Sequence, residues 1–188
     1  MMNNSKLFVL RTWLRARVLD ALGGFSVPQP GIHILNGHRI EKKSDADAFR
    51  KMLTELSESV TFIRIEDAVR MIMERQRPSI PLVAFTFDDG FMDDYDVFAP
   101  ILEEFGTNAL FFINPNYVEG DEDYIQNFDD NVVMTPDKRP MRWNHICELS
   151  KRGHIIGAHT MDHYMVNSDN KQILEYQINT CKEVIENH

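Results

Sequence analysis

The sequence predicts an α/β fold built on parallel strands, and three observations carry that expectation. Short apolar runs rich in strand formers recur at residues 80–87, 108–113 and 154–159, each of a length that suits a buried strand. Segments with apolar residues at helical spacing lie between them. The resulting alternation of strand and helix implies parallel strands joined by helical crossovers. With 188 residues, 43% hydrophobic and 26% charged, the chain suits a soluble globular domain with a sizeable core.

The elements follow in order. Residues 5–22 read as an amphipathic helix with Leu7, Leu10, Leu14, Val18 and Leu22 on one face and Arg11, Arg15 and Arg17 close by, ended by Gly23-Gly24. Val27-Pro28-Gln29-Pro30-Gly31 is a linker by composition, so residues 1–29 separate from a domain at 30–188. Ile32–Leu35 is a short strand closing on Asn36-Gly37-His38. A helix runs from about Asp45 to Leu56 with Phe49, Met52, Leu53 and Leu56 facing one way. Val60–Ile63 is a second short strand. Glu66–Arg75 is a helix with Ala68, Val69, Ile72 and Met73 inward. The central strand spans 81–87. Asp93–Phe105 is helical, stopped by Gly106, and Asn108–Ile113 is a buried strand. Residues 116–140 read as a long, acidic, irregular loop of the kind that shapes a substrate groove. Trp143–Arg152 is a helix with Ile146 and Leu149 inward, His154–His159 a strand, and Asn170–Asn187 a closing helix.

A net charge of −9 argues against a nucleic-acid partner held through phosphates. Cys147 and Cys181 lie far apart without metal-ligand spacing, so free thiols are expected. The N-terminal apolar stretch is too short for a signal peptide core or a membrane span. Its basic face could touch an anionic membrane surface, or it packs peripherally with that face solvated. The expected location is cytoplasmic or peripheral at the membrane surface.

Two motifs carry chemistry. Thr86-Phe87-Asp88-Asp89-Gly90 puts two carboxylates where the central strand ends. Such a position is where ligands sit in α/β folds, and adjacent buried carboxylates need a cation or a shared proton. The same triplet also suits a plain turn. His159-Thr160-Met161-Asp162-His163 follows the third strand. On a helical turn its spacing would bring both imidazoles to one ion; alone, it more readily fits two surface histidines. Both motifs close parallel strands and should open on one face. Two histidines with an aspartate suit Zn²⁺ or another divalent transition metal and leave positions open to water, as a hydrolytic site requires. An aspartate-nucleophile phosphatase would want its carboxylates one residue apart and would leave the histidines idle.

Together these motifs resemble the polysaccharide deacetylase family, also called the NodB homology or carbohydrate esterase family 4 domain. The stretch from Tyr95 through Gly106-Thr107-Asn108 to Ile113, and that from Arg142-Trp143 to Gly153-His154-Ile155-Ile156-Gly157-Ala158-His159, are similar to the family's approach to its second motif. His38-Arg39-Ile40 resembles a family segment in which tyrosine usually stands at the place of Gly37. The resemblance implies a distorted or partial (β/α)7-type barrel with parallel strands. It implies a divalent cation, Zn²⁺ foremost, on Asp89, His159 and His163. It implies Asp88 as the general base that takes a proton from metal-bound water attacking an acetyl group of N- or O-acetylated carbohydrate. Thr160 would hold a histidine or bound acetate, or serve as an ordinary turn hydroxyl. The family's later arginine–proline, acidic–tryptophan and leucine–histidine motifs, which supply the general acid, are not found before His188. The chain therefore reads as the N-terminal portion of such a domain, incomplete at the C-terminus. The alternative function is a catalytically weak or inactive domain that binds metal or sugar. His145 and His154 offer themselves as substitute acids, with structural roles expected for both.

Overall fold

The computed structural model describes residues 28–40, 44–167 and 170–188. The helix expected at 5–22, and with it most of the 1–29 segment, lies outside the described residues. Among those residues one sheet of five parallel strands forms: β1 (Gly31–Gly37), β2 (Thr61–Phe62), β3 (Pro81–Phe87), β4 (Ala109–Ile113) and β5 (Ile155–Ala158). The order is β1-β3-β4-β5, with β2 pairing the first half of β3. β3 is central and buried from Leu82 to Phe87. A strand covered on both faces must be apolar at every position, which is why this run does not alternate.

Helices α1 (Ser44–Ser57), α2 (Ile65–Met73), α3 (Ala99–Glu104), α4 (Pro115–Glu119), α5 (Glu122–Asn127), α6 (Trp143–Lys151), α7 (Lys171–Leu174) and α8 (Cys181–Glu186) make the connections. The main core gathers Val83, Phe85, Phe87 and Phe111 with Leu53, Phe98, Leu102 and Leu149. Phe87 anchors it, its ring stacked 4.4 Å from Phe98 and 5.5 Å from Phe111. The opposite face carries a smaller cluster of Ile65, Ala68 and Ala84. There Ile34, in register with Ala84, and Ile155, in register with Leu110, remain 43% and 39% exposed.

Three expectations need correction. Residues 116–132 are mostly helical, not an irregular loop; 133–139 stay irregular. Pro115 starts α4, and the Asp121 carboxylate caps α5 by accepting from the Tyr124 N–H. A π turn at Phe128–Val132 extends α5, and Phe91, Tyr117, Ile125 and Phe128 form a satellite core beneath it. The α2 helix turns Val69, Ile72 and Met73 outward and buries Ile65 and Ala68. Its first turn, not its length, packs on the sheet. Met52 is likewise exposed. The helix expected at 93–105 forms, with a π turn at Asp94–Phe98 leading into α3. No helix among the described residues is long and apolar enough to cross a membrane.

Candidate metal centre and active site

The site forms where β3 and β5 end. The Asp88 N–H donates to the Gly37 carbonyl (3.1 Å), which carries the strand pairing one step beyond the end of β3. Asp89 and Gly90 then both take positive φ, +75° and +70°. Two left-handed residues in succession reverse the chain and separate the adjacent carboxylates. Gly90 is required twice over: a Cβ there would meet Ile113 Cγ2 at 2.9 Å. The turn drives Asp89 inward, to 4% exposure.

His159 and His163 flank Asp89, each with Nε2 3.5 Å from Asp89 Oδ1. The rings lie 4.9 Å apart at 64°. The expected helical turn is absent: residues 159–163 form a loop, with Thr160 and His163 at φ 66° and 55°. The loop meets its spacing through other restraints. His159 N–H donates to Ile113 C=O, prolonging the β4–β5 pairing. Asn114 Nδ2 donates to the carbonyls of His159 (2.6 Å) and Thr160 (3.0 Å). Thr160 Oγ1 accepts from the Tyr164 N–H at 2.7 Å, so this hydroxyl closes a turn.

Asp89 Oδ1 is buried and has no hydrogen-bond partner, despite its two histidine neighbours. An unsatisfied carboxylate oxygen in that setting is costly without a cation. The donor atoms of Asp89, His159 and His163 all lie within 4.8 Å of one another. Ligands about 2.0–2.2 Å from a tetrahedral Zn²⁺ would be roughly 3.3–3.6 Å apart, and the two 3.5 Å separations match. Residues and spacing therefore fit a divalent ion. Burial lowers the His163 pKa, with the Asp89 charge opposing, and this favours the neutral imidazole that ligation needs.

Asp88 lies apart from that trio and faces His38, whose Nε2 is 3.5 Å from Asp88 Oδ2. His38 is half exposed, and its segment is held by a pair of charges. Asp93 accepts from the Ile40 N–H, while Lys138 donates to the Ile40 carbonyl and to Asp93. Sequence reasoning noted the His38-Arg39-Ile40 segment without giving His38 a place at the site. The signal was its position just past a strand that pairs with β3. His145 and His154 are structural, as expected. His145 Nδ1 accepts from the Arg142 N–H at the start of α6. His154 is buried, accepting from the Ala109 N–H and contacting Glu103. Asp94 was also missed: it is fully buried behind the site with neither carboxyl oxygen paired.

Comparison with known proteins gives a consistent picture. The family model described as polysaccharide deacetylase matches residues 75–188. The protein YxkH of Bacillus subtilis (strain 168), whose name places it among the polysaccharide deacetylases, is 24% identical over 122 residues, 65% of this chain and 38% of YxkH. The chain thus spans well under half the length of that relative. Among solved structures, the Streptococcus pyogenes deacetylase PplD, determined in complex with acetate, superposes with a TM-score of 0.62 at 16% identity, over 86% of this chain and 70% of PplD. IcaB from Ammonifex degensii gives 0.58 at 24%, over 76% and 59%. At these identities the structural likeness is one of fold, the parallel (β/α)-barrel type of which this chain forms part. With more than half of its residues matched by the family model, the chain belongs to the polysaccharide deacetylase family.

Proposed function

We propose that the chain is a metal-dependent hydrolase that removes acetyl groups from N-acetylated, or O-acetylated, carbohydrate. The observation that carries this reading is the orphaned, buried Asp89 Oδ1 set 3.5 Å from two imidazole nitrogens. Asp89, His159 and His163 would hold the ion, with Zn²⁺ best suited to two nitrogens and one carboxylate oxygen. When bound, the ion supplies the positive charge that polarises an acyl carbonyl and acidifies a water.

The remaining work falls to the chain's own residues. Asp88 stands beside the trio but outside it, with 19% of its side chain exposed to the mouth. It takes the proton of the attacking water on one carboxylate oxygen while the other faces His38. His38 is the imidazole of the site not needed to hold the ion, and it is within contact of the base. It can donate a proton to the departing amine nitrogen, a task that the buried His154 cannot reach and that His145, whose Nδ1 caps the start of α6, is not placed to do. Acetate and a free amine on the sugar are the products.

The alternative, an inactive domain that binds metal or sugar, draws its support from the partly bare sheet face at Ile34 and Ile155. Acetate release from N-acetylglucosamine oligomers, measured with Zn²⁺ and with chelator, separates the readings. Metal-dependent release that drops about 10²–10⁴-fold in Asp88→Asn supports the hydrolase. Stoichiometric metal without acetate release supports the binding domain. Equal metal content in the parent and His159→Ala would remove the site.

A further inference from the structure

Asp162, directly before His163, has so far had no role. We propose that Asp162 is a positioning residue that fixes the geometry of His159 and His163 by tying their loop to two elements distant in sequence that meet beneath it. The proposal rests on the reading of those histidines as ligands of the ion.

Its Oδ1 accepts from Asn116 Nδ2 (2.6 Å) and from the Tyr124 hydroxyl (2.8 Å). Its Oδ2 accepts from Gln177 Nε2 (2.7 Å), and Gln177 Oε1 accepts in return from the Asp162 N–H (3.2 Å). Three donors converge on one side chain, which only an acceptor-only group can satisfy. The partners come from two elements about 50–60 positions apart in the chain, which also meet each other where Asn116 Nδ2 donates to the Tyr176 hydroxyl (2.9 Å). Asn116 and Tyr124 belong to α4 and α5, whereas Gln177 is buried on the π turn Glu175–Thr180 between α7 and α8. π turns interrupt helices mostly where function needs a side chain re-aimed.

The loop needs such restraint. It is neither helix nor strand, and Thr160 and His163 both hold φ values near +60°. Non-glycine residues stay in that region only when their surroundings over-determine them. Asn114 fixes the His159 end through two carbonyls. Asp162 is the corresponding anchor beside His163. Outer residues that orient metal ligands commonly change affinity 10–100-fold when removed.

The test uses the metal-free full chain and Co²⁺ alone as the probe, read by its visible absorption, with circular dichroism to verify folding. Asp162→Asn places amide hydrogens against donors, and it should bind Co²⁺ about 10–100-fold more weakly with a changed absorption band. Gln177→Glu sets two carboxylates face to face and should weaken binding similarly. The double variant Asp162→Asn with Gln177→Glu restores the complement at unchanged net charge. The new amide donates to the new carboxylate, whose other oxygen accepts from the backbone N–H at 162. Binding should return to within about threefold of the parent, with the parental spectrum, a recovery that a double-mutant cycle isolates. A folded Asp162→Asn that binds like the parent, or a double variant no better than the singles, overturns the proposal. Should Asp162→Asn not fold, Tyr124→Phe carries the same question with one hydroxyl removed; it is expected to bind several-fold more weakly, and parental affinity overturns the proposal. His159→Ala separates the two levels: if it binds Co²⁺ as the parent does, the ligand reading fails before Asp162 is in question.

Discussion

Replacing Asp94 with asparagine should make the chain progressively more stable than its parent as pH rises. Asp94 is 0% exposed and neither of its oxygens has a hydrogen-bond partner. Burial first, then the negative charges of Asp93, Asp89 and Asp88, raise its pKa well above the usual carboxylate range. The folded chain therefore keeps this proton to higher pH than the unfolded chain, which ionises it near about 3.9. Between that value and the raised one, the folded state binds more protons, so this group's contribution to stability falls as pH rises. The slope is about 1.4 kcal/mol per pH unit. Asparagine fills the same space and cannot ionise. Its stability relative to the parent should therefore grow between pH 5 and pH 6, by at most about 1.4 kcal/mol, or at most about 3–6 °C in melting temperature for a chain of this size. Urea unfolding of the metal-free protein at both pH values measures it. The amide is itself unpartnered, so the change with pH, not the difference at one pH, is diagnostic. A difference that stays constant between the two pH values refutes the reasoning.

Three further outcomes follow from the same structure. Zn²⁺ at about 100 times its dissociation constant should stabilise the chain by about 2.7 kcal/mol, or about 5–11 °C. Chelator should reverse the shift in a thermal melt, and His163→Ala should abolish it. His154 should make the fold acid-sensitive: burial lowers its pKa despite the opposing pull of Glu103, so the unfolded state binds more protons as pH drops below the ordinary imidazole range. Stability is then lost as pH falls through that window, and urea midpoints of His154→Gln should show a flatter pH dependence. Gly90→Ala should cost about 1–3 kcal/mol in urea unfolding, from a strained φ of +70° and the 2.9 Å approach to Ile113, and should weaken metal binding through its neighbour Asp89.

The framework was readable because strands buried on both faces leave long apolar runs, as in Leu82–Phe87. The two motifs were readable because a carboxylate pair and a histidine pair both close parallel strands, and their conjunction is harder to explain by turns than either alone. What escaped depends on contacts distant in sequence. The α4 and α5 helices hid in an acidic stretch whose composition suggested solvent. Yet Asp121-Glu122-Asp123 is a cap followed by an acidic first turn, a local signal outweighed by length and charge. The outward turn of Val69, Ile72 and Met73 follows from where α2 meets the sheet, which periodicity cannot register. His38 reaches Asp88 only because β1 lies beside β3. The histidines converge without the helical turn their spacing suggested, because Asn114 and Asp162 shape the loop instead.

The pairing of β1 with β3 also bears on when the site assembles. Asn36 and Thr86 meet across that pair although 50 positions separate them, and Ala109 meets His154 across 45. The β3–β4 pair needs only one intervening helix. Closing a short span sacrifices less chain freedom than closing a long one. The middle of the sheet, with Asp88 and Asp89 at its tip, should therefore collapse first. The histidine loop and the His38 segment would join from opposite flanks afterwards, so the nascent chain presents its carboxylates before any imidazole arrives to meet them.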